Sequence, residues 1–142
     1  MLSALKFNVE GQPVHTPEEL VYDEKYTKRT LDGQYRISLK IPDKIVAEND
    51  VDISFDISDS SGRPVTNLEP LMAAGGHSVI ISGDLEEFLH VHPTEEVDTT
   101  WRGGPDISFK TSFPKPGLYK AWGQFQHQGR VITAGGYVLR VA

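Results

Sequence analysis

Val51-Asp52-Ile53-Ser54-Phe55-Asp56-Ile57-Ser58 alternates apolar and polar residues without a break. In an extended chain this places Val51, Ile53, Phe55 and Ile57 on one face and the polar residues on the other. That pattern predicts a strand of an antiparallel sheet, one face buried and one in water. Upstream, Tyr35, Ile37, Leu39 and Ile41 alternate with Arg36, Ser38 and Lys40 in the same way. Downstream, residues 58–64 read Ser-Asp-Ser-Ser-Gly-Arg-Pro, which is turn chemistry.

The pattern then repeats. Strands are expected over 77–82, 88–92 (ended by Pro93), 106–113, 118–126 and 130–141. Gly83-Asp84, Pro114-Lys115-Pro116-Gly117 and Gln128-Gly129 supply turns between them. Seven or so short strands with Gly and Pro between them predict one all-β domain over 34–142, an immunoglobulin-like antiparallel β-sandwich. Tyr119, two residues after the turn residue Gly117, stands where such sandwiches carry a corner Tyr bonded back to upstream backbone. The other reading is a plain core Tyr. Residues 1–33 carry little periodic pattern and are expected to form a partly irregular N-terminal extension. Thr16, Pro17 and Glu19 have the order of a helix start, which would make a short helix over 17–22.

Composition narrows the function classes. A formal net charge of -6 argues against nucleic acid and against anionic membranes, because both select basic surfaces. The chain has no cysteine, so thiolate metal sites, disulfides and cysteine nucleophiles are excluded. No stretch approaches the roughly 18 apolar residues of a membrane span, so no membrane insertion is expected. Met1-Leu2-Ser3-Ala4-Leu5-Lys6 lacks the apolar core of a signal peptide.

The residues with most chemical content are Leu89-His90-Val91-His92-Pro93. On a strand, positions i and i+2 share a face, so His90 and His92 project side by side, a spacing that offers two nitrogens to one metal ion. If 77–82 and 88–92 pair as a hairpin with Ile81 opposite Phe88, then His77 falls opposite His92 and three imidazoles converge. A slip of one residue would send His77 to the other face. His127, beside the tip of the last hairpin, is a fourth candidate, and Met72 offers a soft thioether if the metal is copper. The competing reading makes all these histidines surface or packing groups. Ser78 and Ser82 lie in no nucleophile motif, so catalysis is not expected. One enzyme-like pattern remains as an alternative. Gly83, His90, His92, Glu96 and Gly103 come within one residue of the first cupin motif, but no second motif follows.

Four stretches carry a family resemblance: Gly62-Arg63-Pro64-Val65-Thr66-Asn67-Leu68-Glu69-Pro70; Gly76-His77-Ser78-Val79; His90-Val91-His92-Pro93; and Phe113-Pro114-Lys115-Pro116-Gly117-Leu118-Tyr119-Lys120. With Gln124 to Val131, they make residues 35–142 similar to YtkA-like and related exported bacterial immunoglobulin-like domains. The resemblance implies a periplasmic or extracellular protein, whose signal or anchor is not in this chain, and a link to heavy-metal handling. Gly75-Gly76-His77 departs from the Met-Gly-His common in that family, which weakens the case for a thioether beside His77.

The expected function is a non-catalytic module binding Zn or Cu through His77, His90, His92 and His127, with another envelope protein as a second partner. The alternative is a metal-free structural or interaction domain.

Overall fold

The computed structural model describes residues 26–142. Nine strands account for its regular structure: β1 (Thr27–Arg29), β2 (Tyr35–Lys40), β3 (Asp50–Asp59), β4 (His77–Ser82), β5 (Phe88–Leu89), β6 (His92–Pro93), β7 (Asp106–Ser112), β8 (Gly117–His127) and β9 (Arg130–Val141). They form two antiparallel sheets, ordered β1-β2-β3-β7-β6 and β5-β4-β8-β9. The protein is thus an all-β sandwich. Two differences from the sequence reading raise the strand count. Residues 27–29, placed in the irregular extension, pair with β2 from Thr27↔Ser38 to Arg29↔Arg36. Residues 88–92, expected as one strand, are split between the two sheets as β5 and β6. The expected helix over 17–22 lies outside the described residues.

The inner faces are those the alternation marks. Tyr35, Ile37 and Leu39 of β2, Val51, Ile53, Phe55 and Ile57 of β3, and Tyr119, Ala121 and Phe125 of β8 are buried, and Ile41 packs against them half-buried. Across the sheets, the Phe55 ring meets Phe125 edge-on at 5.4 Å between centroids, and Phe109 beside it at 5.8 Å. Each such buried side chain contributes about 1.5–3 kcal/mol, so the faces are held by area and by ring geometry together.

Tyr119 Oη donates to the Lys115 carbonyl at 2.7 Å and accepts the Lys115 N–H at 3.3 Å, tying the start of β8 to the turn before it. β9 contains a feature that alternation alone misses. Ile132 and Ala134 point inward, and so do Tyr137, Leu139 and Val141, which have the opposite parity. Trp122 pairs with Gly135 and Ala121 with Tyr137, leaving Gly136 as the extra residue of a β-bulge. One added residue resets the faces of everything beyond it. The bulge needs glycine: Gly135 has φ +129°, and a Cβ there would stand 2.7 Å from the Ala121 carbonyl oxygen.

Gly129, at the tip of the β8–β9 hairpin, has φ +75° but open space around it. Gly129→Ala should therefore lose only the left-handed strain, about 1–2 kcal/mol. Gly135→Ala adds a backbone clash and should lose a further 1–3 kcal/mol or so. Urea denaturation of the two variants checks this order; equal losses would show that the bulge tolerates a side chain.

Candidate functional site

The link from β4 to β5 is braced by its own side chains. Ser82 Oγ donates to Asp84 at 2.6 Å and accepts the Glu87 N–H at 2.9 Å, while the Glu86 N–H donates to Asp84 at 3.0 Å. Lys115, from the turn before β8, donates to Asp84 at 2.6 Å and to Glu86 at 3.0 Å. The Lys115 ammonium, the Ser82 hydroxyl and the Glu86 N–H together hold the Asp84 carboxyl well below the usual carboxylate range. Asp84, then Glu86, push Lys115 above its ordinary value. The turn thus fixes where β5 begins.

β5 pairs with β4 through Ile81↔Phe88 and Ile80↔Leu89, which is the register read from the sequence. The pairing stops there. The Thr111 hydroxyl donates to the His90 carbonyl at 2.8 Å, and His92 pairs with Lys110, so the chain has passed to the other sheet. Leu89 and Val91 pack against the core along this crossover, and His90 and His92 between and after them are exposed. Their rings lie stacked, 6.0 Å apart and within 6° of parallel. Both line a cleft of about 400 Å³ with Asp50, Phe88 and Lys110. Lys110 is ion-paired to Asp52 at 3.3 Å, which offsets its charge beside the imidazoles.

The other two histidines do not join them. His77 pairs with Gln124 of β8, not with His92, because β5 ends before the hairpin reaches that row. Its Nε2–H donates to the Leu71 carbonyl at 2.7 Å. That bond pins a tight turn in which Leu71 and Ala74 exchange backbone hydrogen bonds and the exposed Met72 stands at the tip. His127 is 9% exposed, inside the sandwich end. Its Nε2–H donates to Asn67 Oδ1 at 2.9 Å and its Nδ1 accepts from Tyr35 Oη at 2.6 Å. Both ring nitrogens are thus engaged within the domain, which sets His127, expected as a metal ligand, apart from the exposed pair.

Among the described residues no group of three or more His, Asp or Glu is placed to hold a metal ion. The expected convergence of His77 with His90 and His92 is therefore not formed, and the pair stands alone. The cupin-like alternative needs both imidazoles inside the sandwich, whereas both face outward. Sequence reading missed three features: the Tyr35–His127–Asn67 chain, the Asp84–Lys115 brace, and Asp50 at the cleft. The first joins residues 92 apart, and no local pattern marks such a partnership.

Residues 29–141 match the model of a family described as a domain of unknown function (DUF8832), and the chain belongs to that family. No curated protein and no solved structure matches it.

Two outcomes test this geometry. Asp84 has a lowered folded-state value, so its contribution is present above its unfolded pKa of about 3.9 and is lost as pH falls through the folded one. The melting temperature of Asp84→Asn should start lower at neutral pH and fall less steeply below about pH 4 than the parent's. Parallel curves would show that the brace does not couple to folding. Tyr35→Phe strips His127 Nδ1 of its buried donor and should lose about 1–3 kcal/mol in urea denaturation. A loss under about 0.5 kcal/mol would mean that water replaces the phenol.

Proposed function

We propose that this member of the family is a non-catalytic metal-binding module, in which His90 and His92 give two imidazole nitrogens to one Zn²⁺ or Cu²⁺ ion. The observation that carries the reading is the pair itself: two exposed imidazoles on one side of an extended segment, 6.0 Å apart. With metal–nitrogen bonds of about 2.0 Å, two imidazoles on one ion have ring centres roughly 5–6 Å apart, close to the spacing of this pair; binding would turn both rings out of their parallel stack so that a nitrogen of each faces the ion. Nitrogen ligands without a thiolate favour a borderline divalent ion over Cu⁺.

Several observations support the rest of the reading. The immunoglobulin-like reading is supported by the order β2-β3-β7-β6 against β5-β4-β8-β9, which corresponds to A-B-E-D against C′-C-F-G, and by the backbone-bonded Tyr119 at the start of β8. The resemblance to YtkA-like domains adds a periplasmic or extracellular location and an envelope protein as a further partner. The non-catalytic part rests on the serines. The Ser78 hydroxyl donates to the Trp122 carbonyl at 2.8 Å and that of Ser82 to Asp84 at 2.6 Å, so neither is poised as a nucleophile.

A second reading, a metal-free interaction domain, is favoured by Phe88 and Val79, which are 72% and 47% exposed on neighbouring strands.

Thermal melting and calorimetry of untagged protein with Zn²⁺ and Cu²⁺ separate the two. Metal should raise the melting temperature at about pH 7.5, because it binds the folded state, and the effect should shrink toward about pH 5.5, because only neutral imidazole coordinates. The His90→Ala/His92→Ala double variant should lose the response, while His127→Ala should keep it from a lower starting stability. A double variant that binds as the parent does would leave the interaction-domain reading.

A further inference from the structure

The His90/His92 pair has two ligands where protein zinc sites hold the ion with three or four. Asp50 lines the same cleft, yet among the described residues no third carboxylate or imidazole is placed to complete a site. His77 and His127 are committed to the Leu71 carbonyl and to the Tyr35–Asn67 chain. We infer, building on the metal-binding reading, that the pair is half of a site and that a second copy of this chain supplies the other half. The ion then sits on a two-fold axis, held by His90 and His92 of each copy in a tetrahedral set of four nitrogens.

The surroundings suit such an arrangement. A two-fold contact presents the same patch twice, so a patch with two ligands closes to four without any further residue. The pair sits on an exposed crossover at the edges of both sheets, where a second copy can approach. β6 is only His92–Pro93, too short and too proline-limited for strand-to-strand pairing to hold two copies by itself. Phe88, 72% exposed and lining the same cleft, gains an apolar contact when the edge is covered. Each chain carries a formal net charge of -6, so bringing two copies together costs some repulsion, which a divalent cation at the contact offsets in part.

The test is light scattering after size exclusion, with calorimetry, on the full untagged chain with Zn²⁺ or with EDTA. With Zn²⁺ the mass should double, with about one ion bound per two chains, and EDTA should restore the monomer. His90→Ala and His92→Ala should each abolish the doubling. Phe88→Ser should shift the dimerisation midpoint to higher protein concentration while the ion-to-chain ratio at saturation stays the same. One ion per monomer with no change in mass would overturn this inference and leave the metal-binding reading standing; loss of that binding in Asp50→Asn would identify the third ligand. No Zn²⁺ binding at all would remove both. A dimer that persists in EDTA and in the double His variant would overturn the role given to the metal.

Discussion

The two sheets are joined at their centre by one aromatic contact, that of Phe55 with Phe125. Phe55 lies at the centre of β3 and touches Phe109 within its own sheet and Phe125 and Tyr137 across the interface. Gly123 makes the approach possible, because a Cβ there would stand 3.0 Å from both the Phe55 and Phe125 rings. Rings that meet edge-on at this spacing tolerate little sliding, so they set how the sheet containing β3 lies over the sheet containing β8 and β9. Tyr137 also donates from its hydroxyl to the Ile37 carbonyl at 2.5 Å, extending the same clamp to β2.

The position of the histidine pair follows from that core. The sandwich is open along the side where the two-residue strands β5 and β6 end their sheets, and something apolar must cover it. Leu89 and Val91 do so, half-buried against the core, as the chain passes from β5 to β6. Because successive side chains on extended backbone alternate, sealing the opening with Leu89 and Val91 turns His90 and His92 outward together. The exposed imidazoles are thus placed by a packing requirement.

The buried end of the molecule treats its histidine differently. His127 is inward-facing on β8, where the alternation that buries Tyr119, Ala121 and Phe125 also buries an imidazole. A buried ring with two polar nitrogens must find two partners, and it takes Tyr35 from β2 and Asn67 from the linker before β4. Glu69, two residues beyond Asn67, accepts from the Gly129 N–H at 3.0 Å and from Gln126 at 3.2 Å. The linker is thereby fastened to the β8–β9 hairpin by polar groups, beside the buried Val65, Leu68 and Leu71 that it adds to the apolar interior.

What could be read in the sequence was local. The alternation of β2, β3 and β8 determined their inner faces, while the Ile81–Phe88 register was one pairing that the turn allowed and the corner was one of two readings of Tyr119. The change of sheet at His90 was not legible, because Leu89-His90-Val91-His92 has the same alternation whether it continues beside β4 or crosses to β7. Nor was the parity reversal at Gly136, since a bulge is defined only against its partner strand. The sequence by itself therefore determined which residues are extended and which of their faces is apolar, because a period of two is a property of one strand alone. The tertiary structure decided which strands meet and hence which histidines are neighbours. Those choices rest on contacts between distant residues, such as the Thr111 hydroxyl on the His90 carbonyl, and no local pattern encodes them.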